Sequence, residues 1–192
     1  NILGLDFDQE MNSSDIFELF ATNAEMANFE FLDYKTPPES GWNLVVEILI
    51  SAERKQIDSI KAAVEKGQMI GEMVNECRKL SNTPGGEMTP QILADRAALI
   101  LKGSKVKLKV LGKKDIEKLS MGGILGVSKG SHEDPKFLVM EYMAGSPKEK
   151  PIVLVGKGVT FDTGGLNLKP TEGIYEMHMD MSGGAAVVAA LA

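Results

Sequence analysis

Four ionisable side chains, Lys157, Asp162, Lys169 and Asp180, fall within one glycine-rich stretch that reads VLVGKGVTFDTGGLNLKPTEGIYEMHMD over residues 153–180. Two carboxylates and two amines at that density need partners, because an unpaired charge in a partly buried site is expensive. They either pair with one another or coordinate metal. Charge spacing alone leaves a salt-bridged surface loop as an equal alternative. Phosphate chemistry fits less well, since a P-loop requires G-x-x-x-x-G-K-[ST] and Gly156-Lys157-Gly158 is followed here by Val159. No G-x-G-x-x-G opens a helix, so no residue is assigned to binding a dinucleotide cofactor.

The elements around this stretch explain how it would be positioned. The apolar run from Ile152 to Val155 reads as a buried strand that ends in the glycine-rich loop. Such a strand delivers its loop to the carboxyl edge of a parallel sheet, where open α/β folds place their ligands. Glycines at 156, 158, 164 and 165 let the backbone come close to whatever the charged side chains hold.

These residues carry a resemblance. The stretch is similar to the active-site region of the leucine aminopeptidase family (cytosol aminopeptidases, peptidase family M17). The family pattern V-G-K-G-[IV]-T-F-D-[ST]-G-G-x-x-x-K-P, followed by M-x-x-D-M, is met as VGKGVTFDTGGLNLKP and MHMDM. Two weaker matches lie upstream, Asn82-Thr83-Pro84 with Thr89-Pro90, and the glycine-rich run from Met121 to Val127. Gly85-Gly86-Glu87 stands between the first pair where many members carry other residues.

The resemblance implies that Lys157, Asp162 and Asp180 are ligands of a two-metal centre. It implies that Lys169 is the catalytic lysine polarising the scissile carbonyl, and that Met177 lines the pocket for the substrate's first side chain. The same five residues would form the substrate-binding surface. The chemistry is coherent. Two divalent ions about 3.5–4 Å apart share and activate a water, and zinc, manganese, magnesium and cobalt are all compatible. Lys157 can donate only as a neutral amine, so the dications and burial must depress its pKa. Lys169 should stay protonated to stabilise the developing oxyanion. The implied function is removal of N-terminal residues, leucine preferentially, from peptides. The family also implies a homohexamer.

The family's second motif, N-T-D-A-E-G-R, supplies further metal ligands and an arginine that holds a bicarbonate in the full-length enzyme. It does not occur in this chain. The expectation is therefore that the 192 residues hold part of a site and are inactive alone. A non-catalytic module on the same scaffold, binding nucleic acid or a protein partner, is the alternative.

Composition narrows the setting. The single cysteine, Cys77, excludes an internal disulfide and fits a reducing, cytoplasmic compartment. No apolar run approaches the roughly 18 residues of a membrane span, and no signal peptide is apparent, so no membrane role is expected. Residues 1–60 carry twelve acidic and three basic side chains, a net of −9 within the chain's −6. Lysines crowd instead between Lys102 and Lys118. A solvated face explains them better than a nucleic-acid surface, given the acidic total and the lack of interleaved aromatics.

The expected fold is α/β: the end of a small N-terminal α/β domain (1–51), a helical connector (52–83), and the first part of an α/β catalytic domain with a mainly parallel sheet (84–192). Ser13-Ser14-Asp15 should cap a helix through Ala27 with Ile16, Leu19 and Phe20 on one face. Asn43 to Ile50 reads as a strand. Apolar spacing predicts helix from Ala52 to Leu80, with Gly67 and Gly71 marking a break or a close helix contact. Thr89 should cap a helix that starts at Pro90. Val106 to Leu111 alternates lysine with apolar residues, the mark of a strand with one solvated face. Asp115 to Leu119 reads as a short helix, Phe137 to Met143 as a strand, and Ser182 as the cap of a last helix. His178 is expected at the pocket rim in a strand-like segment, and His132 in an exposed turn.

Overall fold

The computed structural model describes residues 13–146 and 148–192. The chain divides into two compact units, Asn1–Asn75 and Glu76–Ala192.

In the first unit, helix α1 (Ser13–Ala27) packs on the first part of α2 (Ile57–Asn82), which a single 3-10 turn (Arg54–Gln56) precedes. The helix α2 is continuous, so Gly67 and Gly71 do not break it. They mark a close contact. A Cβ on Gly67 would lie 2.9 Å from the Ala21 Cβ, and one on Gly71 would lie 2.5 Å from that of Glu25. Removing those side chains lets Thr22 Oγ1 donate to the Gly67 carbonyl at 3.0 Å and Asn75 Nδ2 to that of Glu25 at 2.9 Å. Contact positions rise together along both helices, so the two run in the same direction. Ala21, Ile60 and Ala63 form the buried seam. Leu19, expected on the packed face, is half exposed, because Ala21 takes the inward position instead.

Residues 43–50, expected as a strand, form no regular element and pair with no strand among the described residues. Asn28 holds the start of this segment, donating to the Val45 carbonyl at 2.9 Å and accepting from its N–H at 2.8 Å. Apolar β-branched sequence favours an extended chain, but a strand forms only when its backbone groups meet a neighbour.

The second unit contains the end of α2, then α3 (Pro90–Ile100), β1 (Lys107–Leu111), α4 (Lys113–Lys118), α5 (Gly122–Ser128), β2 (Phe137–Glu141), α6 (Thr171–Ile174), a 3-10 turn (Met177–Met179) and α7 (Ser182–Leu191). Thr89 caps α3 as expected, its Oγ1 accepting from the Ile92 N–H at 3.2 Å. Leu101 follows as C-cap, and Gly103 turns the chain with φ +89°. Leu80, Met88, Leu93, Met181 and Ala185 form the core where α2, α3 and α7 meet, with Cys77 and Ile100 packed against it. Burial pushes the Cys77 thiol up, which fits a packing role and not a reactive one.

The α/β character holds, and the ladder among the described residues is antiparallel. β1 pairs with β2 in the register Lys107↔Glu141, Lys109↔Val139 and Leu111↔Phe137. The lysine alternation of β1 leaves one face in water, which antiparallel sheets accept and parallel sheets seldom do. Residues 151–155, expected as the strand that delivers the site, form no regular element, are exposed, Ile152 at 92% and Val155 at 89%, and join no ladder among the described residues. Among the described residues, no helix is long and apolar enough to cross a membrane.

Candidate active site

Glycine pairing brings the site together. The start of α7 lies directly on the backbone of residues 156–158: a Cβ on Gly156 would stand 2.8 Å from the Gly184 Cα, and one on Gly183 would stand 3.1 Å from the Lys157 nitrogen. The Gly184 N–H donates to the Lys157 carbonyl at 2.6 Å. Gly156 therefore admits a helix end, where the sequence suggested a ligand. This docking carries Asp180, just ahead of α7, to Lys157.

A second local device positions Lys169. Gly164 and Gly165 take φ of +98° and +76°, a region that side-chain-bearing residues avoid. The turn lets the Gly164 N–H donate to Asp162 Oδ1 at 2.9 Å, and the Lys169 N–H donate to the Thr163 carbonyl at 2.9 Å. The loop closes on itself, and the lysine side chain returns to the aspartate that opened it.

All four charged residues meet in a chain of alternating sign. Asp180 Oδ2 lies 2.9 Å from Lys157 Nζ, Lys157 Nζ 3.9 Å from Asp162 Oδ2, and Asp162 Oδ2 3.1 Å from Lys169 Nζ. Lys169 Nζ also meets Met177 Sδ at 3.0 Å. The five expected site residues are thus neighbours. His178 sits half-buried in the 3-10 turn and not in the strand-like segment expected, and His132 is exposed.

Electrostatics within this chain are uneven. The Asp180 carboxylate beside it, followed more weakly by Asp162, holds the Lys157 ammonium above the ordinary lysine range. The sequence argument asked for a depressed Lys157; its neighbours here are two carboxylates, and they favour the proton. The Lys169 ammonium, then the Gly164 N–H, hold Asp162 below the usual carboxylate range. The Asp180 side chain is only 15% exposed, and its Oδ2 is buried against the Lys157 ammonium. The Lys157 ammonium at 2.9 Å is its charged partner.

That buried carboxylate, with Asp162 and Lys157 beside it, is the donor set on which a cation can be judged. Two carboxylates and one amine around a single point suit a divalent ion in donor type. Among the described residues, however, no three His, Cys, Asp or Glu side chains converge. The donors present therefore fit part of a coordination shell.

Three features lay outside the sequence reading. Ser182 is the first residue of α7 and not its cap: its hydroxyl donates back to the Met179 carbonyl at 2.6 Å and lies 2.9 Å from Ser81 Oγ on α2. The Phe161 ring, adjacent to Asp162, lies over Gly85, where a Cβ would come within 3.0 Å of its Cε2. That accounts for a glycine in the run after Pro84. The Met177 sulfur contact has no sequence signal beyond the residue type.

Similarity to known proteins agrees with this geometry. Residues 75–192 match the family described as the cytosol aminopeptidase family, catalytic domain. A probable cytosol aminopeptidase of Azoarcus sp. strain BH72 is 49% identical over 134 residues, covering 70% of this chain and 27% of the relative. That of Rickettsia typhi (strain ATCC VR-144 / Wilmington) is 41% identical over 173 residues, covering 90% and 34%. Among solved structures, the bottromycin maturation enzyme BotP in complex with Mn superposes with a TM-score of 0.78 at 28% identity, covering 97% of this chain and 37% of that one. The chain thus spans between a quarter and a third of the length of the curated relatives it matches. With the match running from the last turns of α2 through the four-charge site to the end of α7, the chain belongs to the cytosol aminopeptidase family.

Proposed function

We propose that the protein carrying this chain is a metal-dependent aminopeptidase that releases N-terminal amino acids, leucine preferentially, from peptides. The observation that carries the reading is the convergence of Asp180, Lys157, Asp162 and Lys169 within the family's catalytic domain, with the Asp180 carboxylate buried among them. In this reading, residues 1–51 end a preceding domain, 52–83 connect, and 84–192 begin the catalytic domain.

Each residue then has a task. Asp162 and Asp180 present anionic oxygens to divalent cations, and Lys157 joins them after giving up the proton that Asp180 now helps it keep. Lys169, paired with Asp162, remains an ammonium and donates to the carbonyl oxygen as negative charge develops there. Met177 presents an apolar surface to the substrate's first side chain. A pair of divalent ions, when bound, supplies a water of lowered pKa and an anchor for the peptide's free amino group. The presence of Mn in one similar structure supports manganese as a candidate alongside zinc.

The test is metal stoichiometry measured together with leucyl-anilide hydrolysis, on this chain and on a protein extending it to the length of its relatives. Two metals and turnover in the longer protein are the expected result. A longer protein that binds no metal and hydrolyses nothing would overturn the reading in favour of a binding module.

A further inference from the structure

The Lys169 ammonium has three N–H donors and no acceptor. Asp162 Oδ2 takes one at 3.1 Å, and Met177 Sδ lies at 3.0 Å along another. The lysine backbone is fixed as well, through its N–H to the Thr163 carbonyl at 2.9 Å. Much of the segment that returns Met177 to this point is hydrogen-bonded. Gly173 and Ile174 donate to the Pro170 carbonyl at 2.8 and 3.1 Å, Tyr175 to that of Thr171 at 3.2 Å, and Asp180 to that of Met177 at 3.3 Å. Met177 is therefore held where it is by the backbone, and its sulfur meets the amine at the end of a long side chain that would otherwise sample many rotamers.

We infer that Met177 is a positioning residue for Lys169, its thioether fixing the ammonium so that the remaining N–H faces the substrate. The inference rests on the aminopeptidase reading and goes beyond the pocket-wall role of Met177. A wall needs only bulk, whereas positioning needs a lone pair. Leucine supplies the bulk without the lone pair, and glutamine supplies an acceptor at a similar reach. A thioether is a weak acceptor, but it is polarisable and adapts its three torsions to the site. With Asp162 constraining the amine from one side, one further contact suffices to select an orientation.

The experiment compares Met177→Leu, Met177→Gln and Lys169→Ala in the full-length enzyme, with kcat and KM measured separately on a leucyl peptide. Met177→Leu should lower kcat by about fivefold, the effect of losing one modest hydrogen bond, with KM nearly unchanged. Met177→Gln should recover most of kcat while raising KM, because a polar group replaces the apolar wall. Unchanged kcat in Met177→Leu, or equal loss in both variants, overturns the inference. A Lys169→Ala enzyme with undiminished kcat would instead overturn the assignment of Lys169, and the positioning role with it. A readout independent of turnover is the relaxation of the Lys169 ε-carbon in protein labelled at that lysine position. It should show a more mobile amine in Met177→Leu and a wild-type one in Met177→Gln; equal mobility in all three counts against positioning.

Discussion

Gly156 and Gly184 meet backbone to backbone, and a methyl group on the first would lie 2.8 Å from the Cα of the second. This contact joins the turn that carries Lys157 to the helix whose foot carries Asp180. It converts a separation in sequence into a 2.9 Å ion pair. Neither backbone can retreat like the end of a flexible side chain.

Gly156→Ala should therefore be destabilising by about 1–3 kcal/mol, the range for forcing extra atoms into a packed contact. Gly158→Ala is the control, since its Cβ would meet only Leu93 Cδ2 at 3.9 Å. Denaturant midpoints of the two variants against wild type check this. Equal midpoints would mean that α7 docks on residues 156–158 more loosely than its geometry indicates.

The site charges give a pH dependence whose sign can be worked out for the metal-free protein. Asp162 has a lowered folded pKa, so its contribution is present above the ordinary carboxylate value and is lost as pH falls through the folded one. That window opens below about pH 4. Lys157 has a raised folded pKa, so its contribution is full below the ordinary lysine value of about 10.4 and lost as pH rises through the folded one. Both side chains are substantially in water, and solvent screening keeps the effects small. Urea midpoints recorded with chelator should be level for these groups across neutral pH. Asp162→Asn should flatten the acid limb and move the alkaline limb only slightly, because Asp180 is the main partner of Lys157.

Much of this was legible in residue order, and the exceptions share a cause. Thr89-Pro90, the lysine alternation of β1 and the Ser13–Ala27 helix are local signals, read correctly because capping, pleat and helical period act within a few residues. The five candidate site residues were singled out only through the family motif, since spacing cannot say that Gly183 and Gly184 will rest on Gly156. Residues 43–50 and 151–155 show the opposite case. Their composition specifies an extended chain, but a ladder also needs a partner, which composition does not name. The same holds for Gly67 and Gly71, where sequence offered either a break or a contact and only Ala21 and Glu25 decide between them. Ser182 was misread because a serine at a helix start can accept from the helix or donate away from it, and Met179 supplies the nearer partner.

The ion-pair chain also separates the roles of its members experimentally. Asp180 is the least exposed of the four and pairs with Lys157, whereas Lys169 sits at the far end, beyond Asp162. If the proposed aminopeptidase reading holds, then in a protein extended to the length of its relatives Asp180→Ala and Asp162→Ala should lose metal and activity together, because each removes a donor oxygen. Lys169→Ala should keep its metal and lower kcat by about 10²–10³, as the loss of a donor to a developing oxyanion does. Metal content by elemental analysis, set beside kcat for the same preparations, distinguishes the two behaviours. If Lys169→Ala emptied the site instead, the Asp162–Lys169 contact would be holding a ligand in place, and the lysine's part would lie in building the site and not in the transition state.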